Sequence, residues 1–271
     1  SKTDVDSPLI LDIPEDKTVM WKAVFKGGTS NYLIRLIGKG AFEVTESGEI
    51  NASAGGAIAG VSGYMNYDIP SITVSGGKIN AEAGCAIYID GGGIANATVT
   101  VSSGMVSNAG TNSKHAIHIM GYLRDPTEIN VTIKDSGTVE TTGTNGYAIC
   151  TQGSVLVQDS AKISATGNAI FAEGNVLVRG ITVSAPGNAI FAEGNVLVQG
   201  STVSTTGNAH SYAIYGGRSI TVEDSAVEAS GIESTAILSN GNVRVIRSTV
   251  KARCMAISSL GSVLIQGTAE V

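Results

Sequence analysis

The sequence predicts an all-β fold, a right-handed parallel β-helix with three short strands per rung, about nine to ten rungs and an N-terminal β cap. Three observations predict it. First, the pair Ala-Ile recurs nine times, at Ala57-Ile58, Ala86-Ile87, Ala116-Ile117, Ala148-Ile149, Ala169-Ile170, Ala189-Ile190, Ala213-Ile214, Ala236-Ile237 and Ala256-Ile257. Second, each copy is followed by a V-x-V type triplet, and each of the first eight triplets by a single β-branched residue. Third, the tightest copies, GNAIFAEGNVLVRG from Gly167 and GNAIFAEGNVLVQG from Gly187, are nearly identical and about 20 residues apart. A unit of that size cannot close its own core and must stack on its neighbours.

Residues 1–50 lack the pair and come first. They hold Trp21, Phe25, Phe42 and a denser set of charges. LILDI, TVMWKAVFKG and NYLIRLIGKG read as strands of an N-terminal cap and first turn. A cap is needed because an open end presents unpaired strand edges.

Residues 51–271 read as one continuous repeat domain. The triplets run from Ile72-Thr73-Val74 through Val176-Leu177-Val178 to Val263-Leu264-Ile265. Alternation at period two with β-branched enrichment is a strand signal. The triplet ends point inward, and the middle residue faces solvent, which is why Thr, Leu and Arg all occur there. The single β-branched positions are Ile79, Val106, Val139, Ile163, Val183, Val203, Val227 and Val250. Gly, Ser, Asn and Asp between these pieces supply the turns. The Ile of each pair is expected to point inward, with its Ala kept small by a crowded corner. Rungs about 4.8 Å apart make a rod of roughly 40 Å.

Spacing adds a ruler. From the Ala of each pair to its triplet, the last six repeats count 7 residues, whereas the first three count 15, 13 and 15. The three insertions, 60–71, 90–98 and 120–130, therefore fall at one corner of consecutive rungs. They contribute the candidate ligand-binding residues Tyr64, Tyr67, Asp68, Asp90, Tyr122, Arg124, Asp125 and Glu128. Tyrosine faces stack on sugar rings, and carboxylates with Arg hold hydroxyls or uronates. The alternative is an insertion tolerated at the surface, with Gly and Asp forming turns. A second corner varies less, at 108–115 and 208–212.

The position after each Ala-Ile forms a second candidate set, the aromatic column Tyr88, His118, Phe171, Phe191 and Tyr215. If Ile points in, alternation turns this column outward as a docking strip for a glycan or partner; a bend at the corner would turn it inward as a stack. Glu173 and Glu193 occupy equivalent places in adjacent repeats, roughly 5 Å apart. A Ca²⁺ ion could relieve their repulsion; two solvated turn glutamates are the plainer reading. No cofactor beyond that Ca²⁺ is expected. Asn168, Asn188 and Asn208 read as a turn ladder. His115 and His118, three apart on a strand, are expected on opposite faces, unable to share a metal. His210 stands alone in a loop. Cys85, Cys150 and Cys254 fall in separate repeats, the nearest pair about 10 Å apart by rung height, too far for a disulfide. Three free thiols suit a reducing or anaerobic setting.

Composition narrows function. The 271-residue chain carries a net charge of −6 and no basic stripe, which argues against nucleic acid as a partner. No apolar run reaches the ~18 residues of a membrane span. The chain opens at Ser1 without Met, basic n-region or h-region, as a mature secreted or trimmed chain would. It stops at Thr268–Val271 inside a rung, so the end is expected to continue or to pack on another chain or domain. No Ser-His-Asp, HExxH, CxxC, P-loop or GxGxxG grouping is evident.

VSGGKINAEAGCAIYI and VQDSAKISATGNAIFA resemble the V-S-G-G-x-V-x-A-x-x-G-x-A-I pattern of secreted or cell-surface β-helix proteins from gut Firmicutes and related bacteria. DIPEDKTVMWKAVFKG resembles the lead-in segment of that group. The resemblance covers most of the chain and implies a bacterial surface location and a carbohydrate-binding or adhesin-like role. The architecture is also similar to that of pectate lyases and polygalacturonases. Their clustered Asp ligands with an Arg base, and their N-x-D, D-D and G-H-G blocks, are absent. The expected role is a non-catalytic, structural or adhesive module that meets a polysaccharide or a host or cell-surface glycan. The alternative is a polysaccharide lyase or glycoside hydrolase using Asp68, Asp90, Asp125 or Glu128 with Arg124; a purely structural stalk is a third reading.

Overall fold

The computed structural model describes residues 2–61, 69–90, 97–110, 114–120, 129–207 and 210–271, the side chains of 2–4 and Ile129 excepted. Among the described residues the chain is all β-strand and turn, with no helix. Every strand pairing is parallel, and the strands stack as a β-solenoid of about ten turns. One sheet has 11 strands and the other 20. The larger sheet is two faces joined at a corner. Two long strands, Val24–Gly38 and Glu49–Val61, run straight through that corner, and the second pairs both with Lys78–Ala81 and with Ile87–Asp90.

The three repeated pieces occupy the three faces. The triplets stack in unbroken register, Ile72 on Val99 on Val131 on Val155 and onward to Val263. The Ile residues of the Ala-Ile pairs form a second column from Ile58 to Ile257. The lone β-branched residues form a third from Ile79 to Val250. Nearly all of these side chains are fully buried, while the middle triplet residues Thr100, Leu177 and Leu197 stand partly open to solvent. Burial of aliphatic surface along the axis, at about 25 cal/mol per Å², is the main stabilising term.

Residues 2–50 form the first two turns of the same sheets. Lys2–Val5 and Leu9–Ile13 pair with Val24–Gly38, and Thr18–Trp21 pairs with Ala41–Val44. Trp21 packs against Phe25 at 5.6 Å and Phe42 at 5.9 Å between ring centres. At the other end the inward-facing Val263 and Ile265 are 46% and 47% exposed.

Two corners are built by backbone-specific means. The second residue after the triplet is left-handed in seven successive turns: Asp135, Asp159, Gly180, Gly200, Asp224, Arg247 and Gly267. Gly and Asp tolerate that region; Arg247 does not by nature. Its guanidinium is held by Asp224 at 2.7 Å and Glu223 at 2.8 Å in the turn above. At the corners flanking Ala-Ile, asparagines form ladders. The Asn168 side-chain oxygen accepts from the Asn188 N–H at 2.8 Å, and that of Asn188 from the Tyr212 N–H at 2.9 Å. Asn175, Asn195 and Ser219 repeat the device on the other side. The third member of the first ladder is thus Tyr212; Asn208 lies outside the described residues.

Candidate functional site

The site lies on the outer surface of the Ala-Ile face. Along the strands Tyr147–Thr151, Asn168–Ala172 and Tyr212–Gly216 the burial pattern is the same: one partly exposed residue, two buried ones, one partly exposed, one buried. In every pair but Ala256-Ile257 the Ala and the Ile are both fully buried. Two consecutive residues point inward, so strict alternation breaks there. The residues before and after the pair emerge on the same outer side, three positions apart.

This corrects one expectation. His115 and His118 do not face opposite ways. They flank the buried Ala116-Ile117, and their ring centres are 4.5 Å apart. His115 precedes the strand Ile117–Met120, where the period-two rule has no force.

Two outward columns result. One, after the pair, carries Tyr88, His118, Cys150, Phe171, Phe191 and Tyr215; the other, before it, carries Cys85, His115, Tyr147 and Tyr212. Their rings interleave into one continuous run. Tyr32 stacks on Tyr88 (5.5 Å, 13° between planes), and Tyr88 meets His118 edge-on (5.5 Å, 66°). His118 meets His115, His115 meets Tyr147 at 5.9 Å, and Tyr147 meets Phe171 at 5.6 Å. Phe171 then stacks on Phe191 at 5.5 Å, Phe191 on Tyr215 at 4.2 Å, and Tyr215 contacts Tyr212 at 6.0 Å. At about 4.8 Å per turn the run extends roughly 35 Å. Each ring of the column is partly buried, so it lies on the outer surface and is also stacked on its neighbours.

The run has two characters. From Phe171 to Tyr215 the rings lie nearly parallel and cover one another's faces. From Tyr88 to His115 they meet edge to face, and a pocket opens there between Tyr32, Cys85, Tyr88, Lys114, His115, His118 and Met120. The Tyr88 hydroxyl donates to Asp90 at 3.4 Å and reaches the Met120 sulfur at 3.8 Å. Asp90 sits beside Met120 in the sheet.

Burial sets the electrostatics of this pocket. It pushes the Cys150 thiol up to about 12, with Cys85 and Glu173 adding to the shift. It pushes the Cys85 thiol up as well, against a backbone hydrogen bond from His115. It lowers His118 to about 4, helped by His115 and Lys114 and opposed by Asp90, and it lowers His115 too. At neutral pH the pocket therefore holds neutral imidazoles and protonated thiols. All three cysteines are free. Among the described residues one group of three or more His, Cys, Asp or Glu side chains brings its ligand atoms within 4.8 Å of one another: His115, His118 and Cys150.

Of the insertion residues, Asp90 is described; Tyr64, Tyr67, Asp68, Tyr122, Arg124, Asp125 and Glu128 lie outside the described residues. The strands that flank the insertions do stack: Glu49–Val61, Ile87–Asp90 and Ile117–Met120 pair before them. Ser71–Val74, Val99–Val101 and Ile129–Ile133 pair after them. Glu173 and Glu193 are exposed, and the Gln152 amide donates to Glu173 at 3.1 Å. His210 is exposed, with Glu233 3.9 Å away. Sequence reasoning passed over Cys85, His115, Tyr147 and Tyr32 as members of the site. Their shared place directly before the inward pair was the signal that could have found them.

No helix among the described residues is long and apolar enough to cross a membrane. Comparison with known proteins returns no family model, no curated protein and no solved structure that matches the chain.

Proposed function

We propose that the chain is a non-catalytic module of a secreted or cell-surface bacterial protein, structural and adhesive, that docks an extended glycan along its Ala-Ile face. The observation that carries this reading is the continuous run of nine rings along one side of a rigid rod. A polymer lying parallel to the axis meets several contact points at once, so weak contacts multiply. At the pocket beside Tyr88, His118 and His115 the rings meet edge to face, and the pocket borders the strands Ile87–Asp90 and Ile117–Met120 that lead into two of the insertions. Aromatic groups there, with Asp90 and Lys114 at the margin, suit sugar faces and hydroxyls. The repeat pattern's resemblance to surface β-helix proteins of gut Firmicutes supports the location.

A panel of soluble polysaccharides tests the reading by affinity electrophoresis and titration calorimetry. Binding to at least one polymer is expected, weakened about tenfold or more by Tyr88→Ala and by the Tyr64/Tyr67/Tyr122 alanine triple, with unchanged far-UV circular dichroism. Absence of binding across the panel overturns the glycan reading. Release of shorter or unsaturated products from pectin or another polymer overturns the non-catalytic one.

A further inference from the structure

The edge-to-face part of the ring run holds more than rings. His118 follows the inward pair in one turn, His115 precedes it in the same turn, and Cys150 follows it in the next. One imidazole nitrogen from each histidine and the Cys150 sulfur lie within 4.8 Å of one another. A second thiol approaches from the preceding turn, with Cys85 Sγ 4.0 Å from His118 Nδ1. A tetrahedral ion with bonds of about 2.0–2.3 Å sets its donors about 3.3–3.7 Å apart, so the three donors are within about 1 Å or slightly more of closing on one ion. We propose that His115, His118 and Cys150 form a binding site for a thiophilic transition-metal ion of the Zn²⁺ type; Cys85, two turns from Cys150, lies against His118 and outside the donor set.

The donor chemistry selects the class of ion. Imidazole and thiolate suit Zn²⁺ and its neighbours, whereas Ca²⁺ and Mg²⁺ need oxygen. The site is half-buried, and the adjacent pocket gives an ion a path from solvent. Both imidazoles are neutral at pH 7, so their lone pairs do not have to be freed from protons. The Cys150 thiol is protonated, and binding exchanges that proton for the metal: the sulfur–hydrogen bond breaks, the sulfur–metal bond forms, and one proton leaves to solvent. His115 is the donor that must adjust. Its Nδ1 accepts a hydrogen bond from the Tyr147 N–H at 2.9 Å, which puts the neutral ring's proton on Nε2. To ligate through Nδ1 the ring gives up that bond, so His118 and Cys150 anchor the ion. Lys114, Asp90 and Glu173 are the charged groups that act on the cluster.

Co²⁺, a spectroscopic stand-in for Zn²⁺, is added to reduced full-length protein carrying no affinity tag. The expected result is one equivalent bound, a thiolate-to-cobalt charge-transfer absorption, and displacement of the cobalt by Zn²⁺. Cys150→Ser and His118→Gln each abolish the band; Cys254→Ser and His210→Gln, distant and exposed, leave it unchanged. The apparent Zn²⁺ affinity falls about tenfold per pH unit from 8 to 6, because one proton leaves Cys150 on binding. No charge-transfer band in the wild type overturns the proposal, and so does a band that survives both Cys150→Ser and His118→Gln. Because the wild-type spectrum is decisive by itself, a variant that fails to fold does not leave the question open.

Discussion

At the residue scale, His118 shows what one break in alternation does. Ala116 and Ile117 both turn inward, so His118 and His115 share a partly buried outer pocket with Cys85 and Lys114. A histidine whose folded pKa is about 4 binds fewer protons between pH 4 and 6.5 than it does unfolded. Stability therefore rises with pH across that window: the contribution is present above the unfolded value and is lost as pH falls toward 4. The lowering of His115 acts in the same direction. Urea midpoints measured from pH 7 to 5, above most carboxylate titration, are expected to fall for the wild type. The fall should be shallower in His118→Gln, which keeps the size of the side chain and removes the titration. Parallel curves for the two proteins would show that His118 is as hydrated in the fold as it is unfolded.

At the scale of the strand and corner, the same turn-by-turn repetition that buries the aliphatic columns lines up everything outside them. Asparagine side chains cap the N–H of the next turn, and the Phe171–Phe191–Tyr215 segment stacks ring on ring. Outward position alone would make Phe191 and Leu197 comparable, since both are partly exposed. Their neighbours separate them. Phe191 lies between two nearly parallel rings, at 5.5 and 4.2 Å, whereas Leu197 is aligned with Leu177 and Thr221 in a column where Thr and Arg also stand. Phe191→Ala is expected to cost about 1–3 kcal/mol, from lost area and two ring contacts. Leu197→Thr is expected to stay within about 0.5 kcal/mol. Chemical denaturation of the two single variants checks the ordering, and equal losses would mean that the ring run adds nothing to stability.

At the scale of the whole molecule, the register of all three faces was legible because each face repeats its own apolar signature turn after turn: the Ala-Ile pair, the V-x-V triplet and the lone β-branched residue. The ruler also found where the turns lengthen. Two things escaped it for physical reasons. The second turn replaces the Ala-Ile pair by Leu33-Ile34, equally buried and aligned with Ile58, so a search for the pair misses it. The His-Cys cluster is assembled from neighbouring turns across an inward pair, which alternation alone misassigns. Stacking also fixes how the rod comes apart. Each turn contacts only its neighbours, so local opening is cheapest where one neighbour is missing. The strand Val263–Gln266 pairs on one side only, with Val243–Ile246, and its residues stand nearly half exposed. In the 271-residue chain taken by itself, amide hydrogen exchange is therefore expected to be fast in residues 255–271 and to slow progressively toward the strands Val176–Arg179 and Val196–Gln199, which are covered on both sides. Capping the end restores a neighbour, so protection of the last turn that grows with protein concentration would reveal a second copy seated on it. Uniform protection along the rod, independent of concentration, would mean that the turns unfold as one cooperative unit and that the nearest-neighbour picture fails for this chain.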